Sequence, residues 1–394
     1  MRQPGVWRRR LLPIVMAVPA LVAARGATAQ EEERVSLRAT ATVLLNAFWT
    51  SRATNNFDLP QFVTPLSASD SLGDGGGMSM TLRQTRVGVQ AFWPDLGGAE
   101  VRAEIDADFY GGQQGTQFGR LFPLLRIRRA FAELAWTRAR LLVGQEVPLI
   151  AEYNPSSLAT IGLSGLSGSG NLWLWLPQVR GSLTVTRGKA ARLDLDAALL
   201  APSNNEAVGE LLTQPDRAER SERPYVQARA VLRWGSDDHP GDVSVGGHAG
   251  WFATAGDTLL SSRAVAVATR VPLGMLARIT AEWFGGRALA GLGGGGIGQS
   301  FGEGGVPVRT TGGWGQLVVT PRPSLELSVG YGYDDPDDAD LGPGARLRNA
   351  TASAGVRWTP GPLLLGLEYR AIRTRYGDRT LGARHVNLAF GLGF

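Results

Sequence analysis

Five ionisable side chains occupy alternate positions of one short stretch, Glu100, Arg102, Glu104, Asp106 and Asp108, separated by Val101, Ala103, Ile105 and Ala107. Arg38 stands ahead of them, and Arg126, Arg128, Glu146, Glu152 and Arg180 follow. Arginine keeps its proton and offers carboxylates a rigid fork of donors. The chemistry of such a set is the binding and steering of small ions rather than proton transfer. Other chemistries are poorly served. Cysteine is absent, which excludes disulfide scaffolds, thiolate metal sites and cysteine nucleophiles. The three histidines, His239, His248 and His385, have no metal-ligand spacing, and a hydrolase would have to pair His248 or His385 with Ser244 or Asn387. Glycines 291–298 lack a following Lys-Ser/Thr and read as a flexible outer loop rather than a nucleotide loop. Asp334–Asp340 reads either as a hard-cation site or as an acidic surface loop. No metal, no cofactor and no enzymatic role are expected.

The elements that must carry these charges are strands. In Ala99–Tyr110 every second residue is apolar and every intervening one polar, the period of a strand with one oily and one charged face. Val35–Trp49 alternates in the same way. This reading gives about sixteen strands, and around Arg126, Arg128 and Arg129 the parity changes midway, the signature of a bulge or of a misplaced strand. Connections after even strands are short, as in Pro94–Gly98 and Thr359–Pro362, whereas those after odd strands are often long, including 147–170 and 285–306. Short turns on one side and long loops on the other are the pattern of an outer-membrane barrel. Trp93, Trp136, Trp234 and Trp358 end even strands and Trp49 and Trp283 end odd ones, which places two aromatic girdles at the two membrane interfaces. In the last strand Val386, Leu388, Phe390, Leu392 and Phe394 alternate with small or polar residues, so Phe394 is the candidate assembly signal for the barrel assembly machinery.

Composition agrees. Mean hydropathy of -0.06 excludes a polytopic helical membrane protein. The net charge of +5 is a property of the first 30 residues alone, since Arg2, Arg8, Arg9, Arg10 and Arg25 are the only charged residues before Glu31. The remainder is formally neutral, which argues against a nucleic-acid partner. Leu11–Ala24 behind three arginines and ahead of Ala27-Thr-Ala29 has the form of a secretory signal. Residues 1–29 are therefore expected to be a cleaved signal peptide, and 30–394 the all-β, transmembrane, antiparallel barrel.

A charge facing lipid at mid-membrane costs about 2–4 kcal/mol, so the charged faces must line the lumen. Side chains cannot fill a barrel of this size, which leaves an aqueous channel. Further inward charges include Arg192, Arg229, Arg278 and Arg357 against Asp194, Asp196, Glu282 and Glu326. Each admits two readings, a solute-facing group or a paired wall charge. Residues 147–170 are long and more apolar than an exposed loop needs. Folded inward they would be a constriction, with Glu146, Glu152 and Tyr153 facing arginines across it; the other reading is a plain surface loop.

The series Arg83-Gln-Thr-Arg86-Val-Gly88, Glu104-Ile-Asp-Ala-Asp108-Phe109, Leu125-Arg-Ile-Arg-Arg-Ala-Phe131, Leu142-Val-Gly-Gln145 and Pro177-Gln-Val-Arg180 resembles the N-terminal half of the DcaP-like porins of the trimeric-porin superfamily. It covers about 100 residues in order, together with the terminal strand. The resemblance implies a sixteen-stranded homotrimer with an inward loop and an arginine-lined path favouring small anions such as dicarboxylates. The expected partners are outer-membrane lipid, the barrel assembly machinery and small hydrophilic solutes. The expected function is a passive diffusion channel in the outer membrane of a Gram-negative type envelope; the alternative is a non-conducting barrel serving as adhesin, envelope scaffold or barrel enzyme.

Overall fold

The computed structural model of the protein describes residues 35–394 except 67–72, 115–121, 189, 205–213, 237, 255–257 and 378; the expected signal peptide lies outside the described residues. Among them, sixteen antiparallel strands close into one barrel. In chain order they are β1 (Ser36–Thr50), β2 (Gly77–Thr81, resuming at Arg86–Trp93), β3 (Glu100–Asp108), β4 (Arg126–Ala135), β5 (Ala139–Glu146), β6 (Leu176–Arg187), β7 (Ala191–Leu200) and β8 (Tyr225–Ser236). They continue as β9 (His239–Ala253), β10 (Leu259–Leu273), β11 (Ala277–Arg287), β12 (Arg309–Arg322), β13 (Leu325–Pro336), β14 (Arg348–Trp358), β15 (Leu363–Tyr376) and β16 (Arg379–Gly393).

Each strand pairs with its neighbours in sequence, and β16 closes the barrel on β1 from Thr42 opposite Gly393 to Thr50 opposite His385. Closure removes every sheet edge, the condition for a sheet to cross a bilayer. Strand period sorts the side chains: Val87, Val89, Ile105, Ile127, Val265, Val329, Leu367 and Phe390 are exposed on the outer face. The loop pattern holds except after β9 and β15, where only five and two residues separate the strands. Trp136 and Trp358 are exposed at the short-turn end, Trp49 and Trp283 at the long-loop end, while Trp314 is buried inside. β2 is interrupted where Thr85 turns back on Leu82 (N–O 2.9 Å); the Thr85 hydroxyl accepts from the Leu44 amide at 3.1 Å, replacing the ladder bond lost there.

Part of the lumen is filled by protein. Leu149, Ile150 and Leu172 of the β5–β6 connection pack with Leu289 and Leu292 of the β11–β12 connection against Leu200, Tyr225, Phe252 and Phe284 of the wall. Fully burying each of the larger side chains is worth about 1.5–3 kcal/mol. The glycine run therefore does not form the flexible outer loop that its composition suggests. Left-handed Gly293 and Gly295 (φ +89° and +80°) make tight reversals that tuck Leu292 and Ile297 inside. The Leu292 carbonyl then accepts from the Leu174 amide at 3.0 Å.

Candidate functional site

The charged face of β3 points inward: Glu104, Asp106 and Asp108 are buried against the wall while Ile105 between them is exposed on the outside. On β4 the parity change is a bulge. Asp106 lies opposite Arg129 and Ala107 opposite Ile127, so Arg128 has no cross-strand partner. The extra residue turns Arg126, Arg128 and Arg129 all toward the lumen. Gln145 of β5 donates to the carbonyls of Ile127 (3.2 Å) and Arg128 (2.8 Å) that the bulge would leave unpaired.

These arginines meet the β3 acids in layers. Asp108 accepts from Arg126 Nε (3.1 Å) and Nη2 (2.7 Å), with Arg128 Nε at 3.3 Å. Asp106 accepts from Arg86 Nε (3.1 Å) and Nη2 (2.5 Å) and from Arg128 Nη1 (3.2 Å). Glu104 accepts from Arg102, from Arg129 Nη1 (2.8 Å) and from Gln90 (3.0 Å), and Glu146 accepts from Arg129 Nε (2.8 Å). The order of the layers is what matters. Side-chain exposure is 0% for Asp108 and 6% for Asp106 and Glu104, against 25% for Arg126, 36% for Arg86 and 40% for Arg102. The carboxylates form a rear layer and the guanidiniums the more exposed layer in front of them.

The β5–β6 connection runs along the inside of the wall, bound to one inward side chain after another. The Ile150 amide donates to Gln227 (3.2 Å), the Tyr153 amide to Glu282 (2.7 Å) and the Ser156 amide to Gln316 (2.7 Å). Ser156 and Ser157 hydroxyls donate to Glu326 (2.9 Å) and Glu368 (2.5 Å). Asn46 and Gln84 donate to the carbonyls of Leu158 (3.2 Å) and Ala159 (2.8 Å), and Arg126 Nη2 to that of Gly162 (2.6 Å). The segment extends beyond the expected 170, because Asn171–Trp175 belong to it and not to β6. Their apolar run reads as strand, but what it packs on is the buried Val147 and the tucked Leu292, not a neighbouring strand. Within the segment Glu152 pairs with Arg229, whereas Tyr153 donates to Asp242 and carries the Arg270 guanidinium over its ring at 4.5 Å. Loss of hydration works against ionisation of Glu152, but the charge and hydrogen bond of Arg229 outweigh it, so the carboxyl is held below its ordinary pKa.

Between this segment and the wall lies a cavity of about 650 Å³ whose described lining includes nine arginines and three glutamates. Of the candidates, Arg102, Arg128, Glu146, Glu152 and Arg180 line it; Glu104, Asp106 and Asp108 stand behind, with Arg126 reaching the inward segment. Arg38 does not join the cluster, since its place on β1 opposite Gln90 is close to the short-turn mouth. Its other arginines are Arg86, Arg129, Arg140, Arg229, Arg233 and Arg357. The parity of Val87 and Val89 points to Arg86, whereas Arg129 becomes legible only with the bulge. Arg180 donates to the Val147 carbonyl at 2.7 Å, and neither it nor Arg140 takes part in an ion pair among the described residues.

The other candidates are used structurally. His248 bonds Ser262 (3.0 Å), not Ser244, and His385 bonds Thr50 (2.8 Å), not Asn387. Asp335, Asp337, Asp338 and Asp340 pair with Arg348, Arg309 and Arg375, and Asp334 accepts from Thr310 (2.6 Å) and the Ile297 amide (2.9 Å), so these acids anchor loops.

No family model matches the sequence, and no curated protein is matched by it. Solved structures are similar. The outer membrane channel DcaP of Acinetobacter baumannii superposes with a TM-score of 0.67 at 19% identity, over 93% of this chain and 100% of that one. An anion-selective porin from Comamonas acidovorans gives 0.58 at 10% identity over 92% and 100%. The in-vitro folded trimer form of OmpT of Vibrio cholerae gives 0.52 at 10% over 91% and 99%. These likenesses show the porin fold. The apolar outer face and the exposed tryptophans at both ends are those of a barrel that crosses a bilayer.

Proposed function

We propose that the protein is a passive diffusion channel for small hydrophilic solutes with a weak preference for anions such as dicarboxylates. Residues 147–170, extended to 175, form its constriction, 1–29 are removed on export, and the mature barrel works as a homotrimer. The observation that carries the reading is the layering of the β2–β4 ion pairs, with guanidiniums in front and carboxylates buried behind them. A barrel that is formally neutral over residues 30–394 then presents a positive face. Inside low-dielectric walls such a face raises the local anion concentration by roughly tenfold or more. The anion selectivity that names the Comamonas porin and the trimer that names the Vibrio one support the same reading. Reconstitution in planar bilayers tests it. Stepwise conductance with a reversal potential favouring chloride over potassium is expected. A closed barrel would favour the non-conducting alternative, and a cation-selective channel would overturn the anion preference while leaving the diffusion channel intact.

A further inference from the structure

The outer surface of the barrel at its long-loop end is divided. On β1–β7 the outward positions there are uncharged: Trp49, Met78, Ile105, Ile127, Val143 and Leu199 are all exposed. On β10 and β11 they are cationic, and Arg223, next to the exposed Glu222, stands just ahead of β8. Arg263 of β10 lies directly opposite Arg287 of β11, both on the outward parity, and Ser261 beside them lies opposite Trp251 of β9. Arg287 donates to the Ser261 hydroxyl, and the exposed Arg223 stands over the Trp251 ring at 5.6 Å. Below them Val265 and Trp283 are exposed to the bilayer, with the Trp283 ring lying over Gly285 toward Arg287.

Like charges directly opposite each other on neighbouring strands are unfavourable. Three other outward arginines at this end, Arg309 of β12, Arg348 of β14 and Arg375 of β15, pair with carboxylates: Arg309 with Asp337 and Asp340, Arg348 with Asp335, Arg375 with Asp338. The exposed Arg373 of β15 is in no ion pair among the described residues but lies opposite Ala350 and Gly382, not another arginine. Among the described residues Arg223, Arg263 and Arg287 have no such partner. Three unpaired guanidiniums, a hydroxyl and two indoles thus meet at the level where an apolar barrel surface gives way to head groups. Guanidinium forks match phosphate oxygens, and indoles sit where acyl chains meet the interface.

We propose that Arg223, Arg263 and Arg287, with Ser261, Trp251 and Trp283, form a binding site for the phosphate of a phosphorylated glycolipid of the outer leaflet. The lipid's acyl chains lie along Val265 and the faces of the tryptophans. The site is on the outside of the wall and independent of what the lumen conducts. Detergent-purified barrel is titrated with bis-phosphorylated lipid A, with the same lipid dephosphorylated, and with inorganic phosphate, and bound lipid is read by native mass spectrometry. The phosphorylated lipid should bind at least about tenfold tighter than the dephosphorylated one, and R263S/R287S should lose about tenfold with chloride selectivity unchanged. Equal binding of the two lipids by the wild type would overturn the proposal, as would undiminished binding by the folded variant. Displacement of the lipid by millimolar inorganic phosphate would identify a free-anion site and overturn it also. Should the variant fail to show heat-modifiable migration, the wild-type comparison of the two lipids decides alone.

Discussion

Arg86 and Arg102 are the front-layer guanidiniums that the wall can best spare. Asp106 keeps Arg128 and Glu104 keeps Arg129, so replacing both arginines by serine strands no buried carboxylate. Two cations leave the lumen face while the acids behind them stay. An ion near the middle of the path, about 8 Å from each guanidinium, interacts with it by about 0.5 kcal/mol in bulk water. Screening over a Debye length of about 10 Å at 0.1 M salt roughly halves this. Two guanidiniums acting with opposite sign on chloride and potassium then amount to about 1 kcal/mol, a change of about fivefold in the permeability ratio. That is a lower bound, because an ion at contact distance in a less polar channel feels several times more. Reversal potentials of R86S/R102S across planar bilayers near 0.1 M KCl should therefore show chloride preference reduced by about fivefold or more. The difference should vanish near 1 M, where the Debye length is about 3 Å. A conducting variant with unchanged selectivity at 0.1 M would refute the layered-wall argument.

Asp108→Asn should lower the temperature of the heat-modifiability transition, because Arg126 and Arg128 lose the fully buried carboxylate they share; breaking a buried pair costs about 3–5 kcal/mol. For the same reason a joint Arg126→Ser, Arg128→Ser variant should reduce chloride preference but fold in lower yield. Deleting 154–165 should raise single-channel conductance and weaken chloride preference together, since Glu326 and Glu368 lose the serine hydroxyls that occupy them; unchanged conductance would place the segment outside the path. Removing Phe394, whose amide and carbonyl bond Ala41 at 2.9 and 2.7 Å, should lower the heat-modifiable fraction in outer-membrane preparations, and unaltered yield would count against the assembly signal.

Strand number, order and facing were legible in the sequence because a two-residue period with lipid on one side leaves little freedom. Alternation from Ala99 to Tyr110 assigns Glu104, Asp106 and Asp108 to the lumen without reference to any partner. What the sequence withheld depends on contacts between distant segments. Period alone cannot tell whether a charge at an inward position faces the solute or stands behind another, and for Asp106 that is settled by Arg86 and Arg128 reaching across from β2 and β4. The Leu172–Trp175 run has strand composition, but its partners are the inward segment's own start and a glycine-rich connection more than a hundred residues away. Arg129 illustrates the intermediate case, since the parity break is visible but its direction requires the register against β3.

The partners of the inward segment also set an order of events in assembly. It is bound by Asn46 of β1 on one side and by Glu368 of β15 on the other, strands that become neighbours of a common interior only once β16 has closed on β1. The segment is made when fewer than half the strands exist, so its final bonds wait for the last of them. The complete set of bonds that holds the inward segment can therefore exist only in the closed barrel, so closure of the wall and final seating of the segment are coupled.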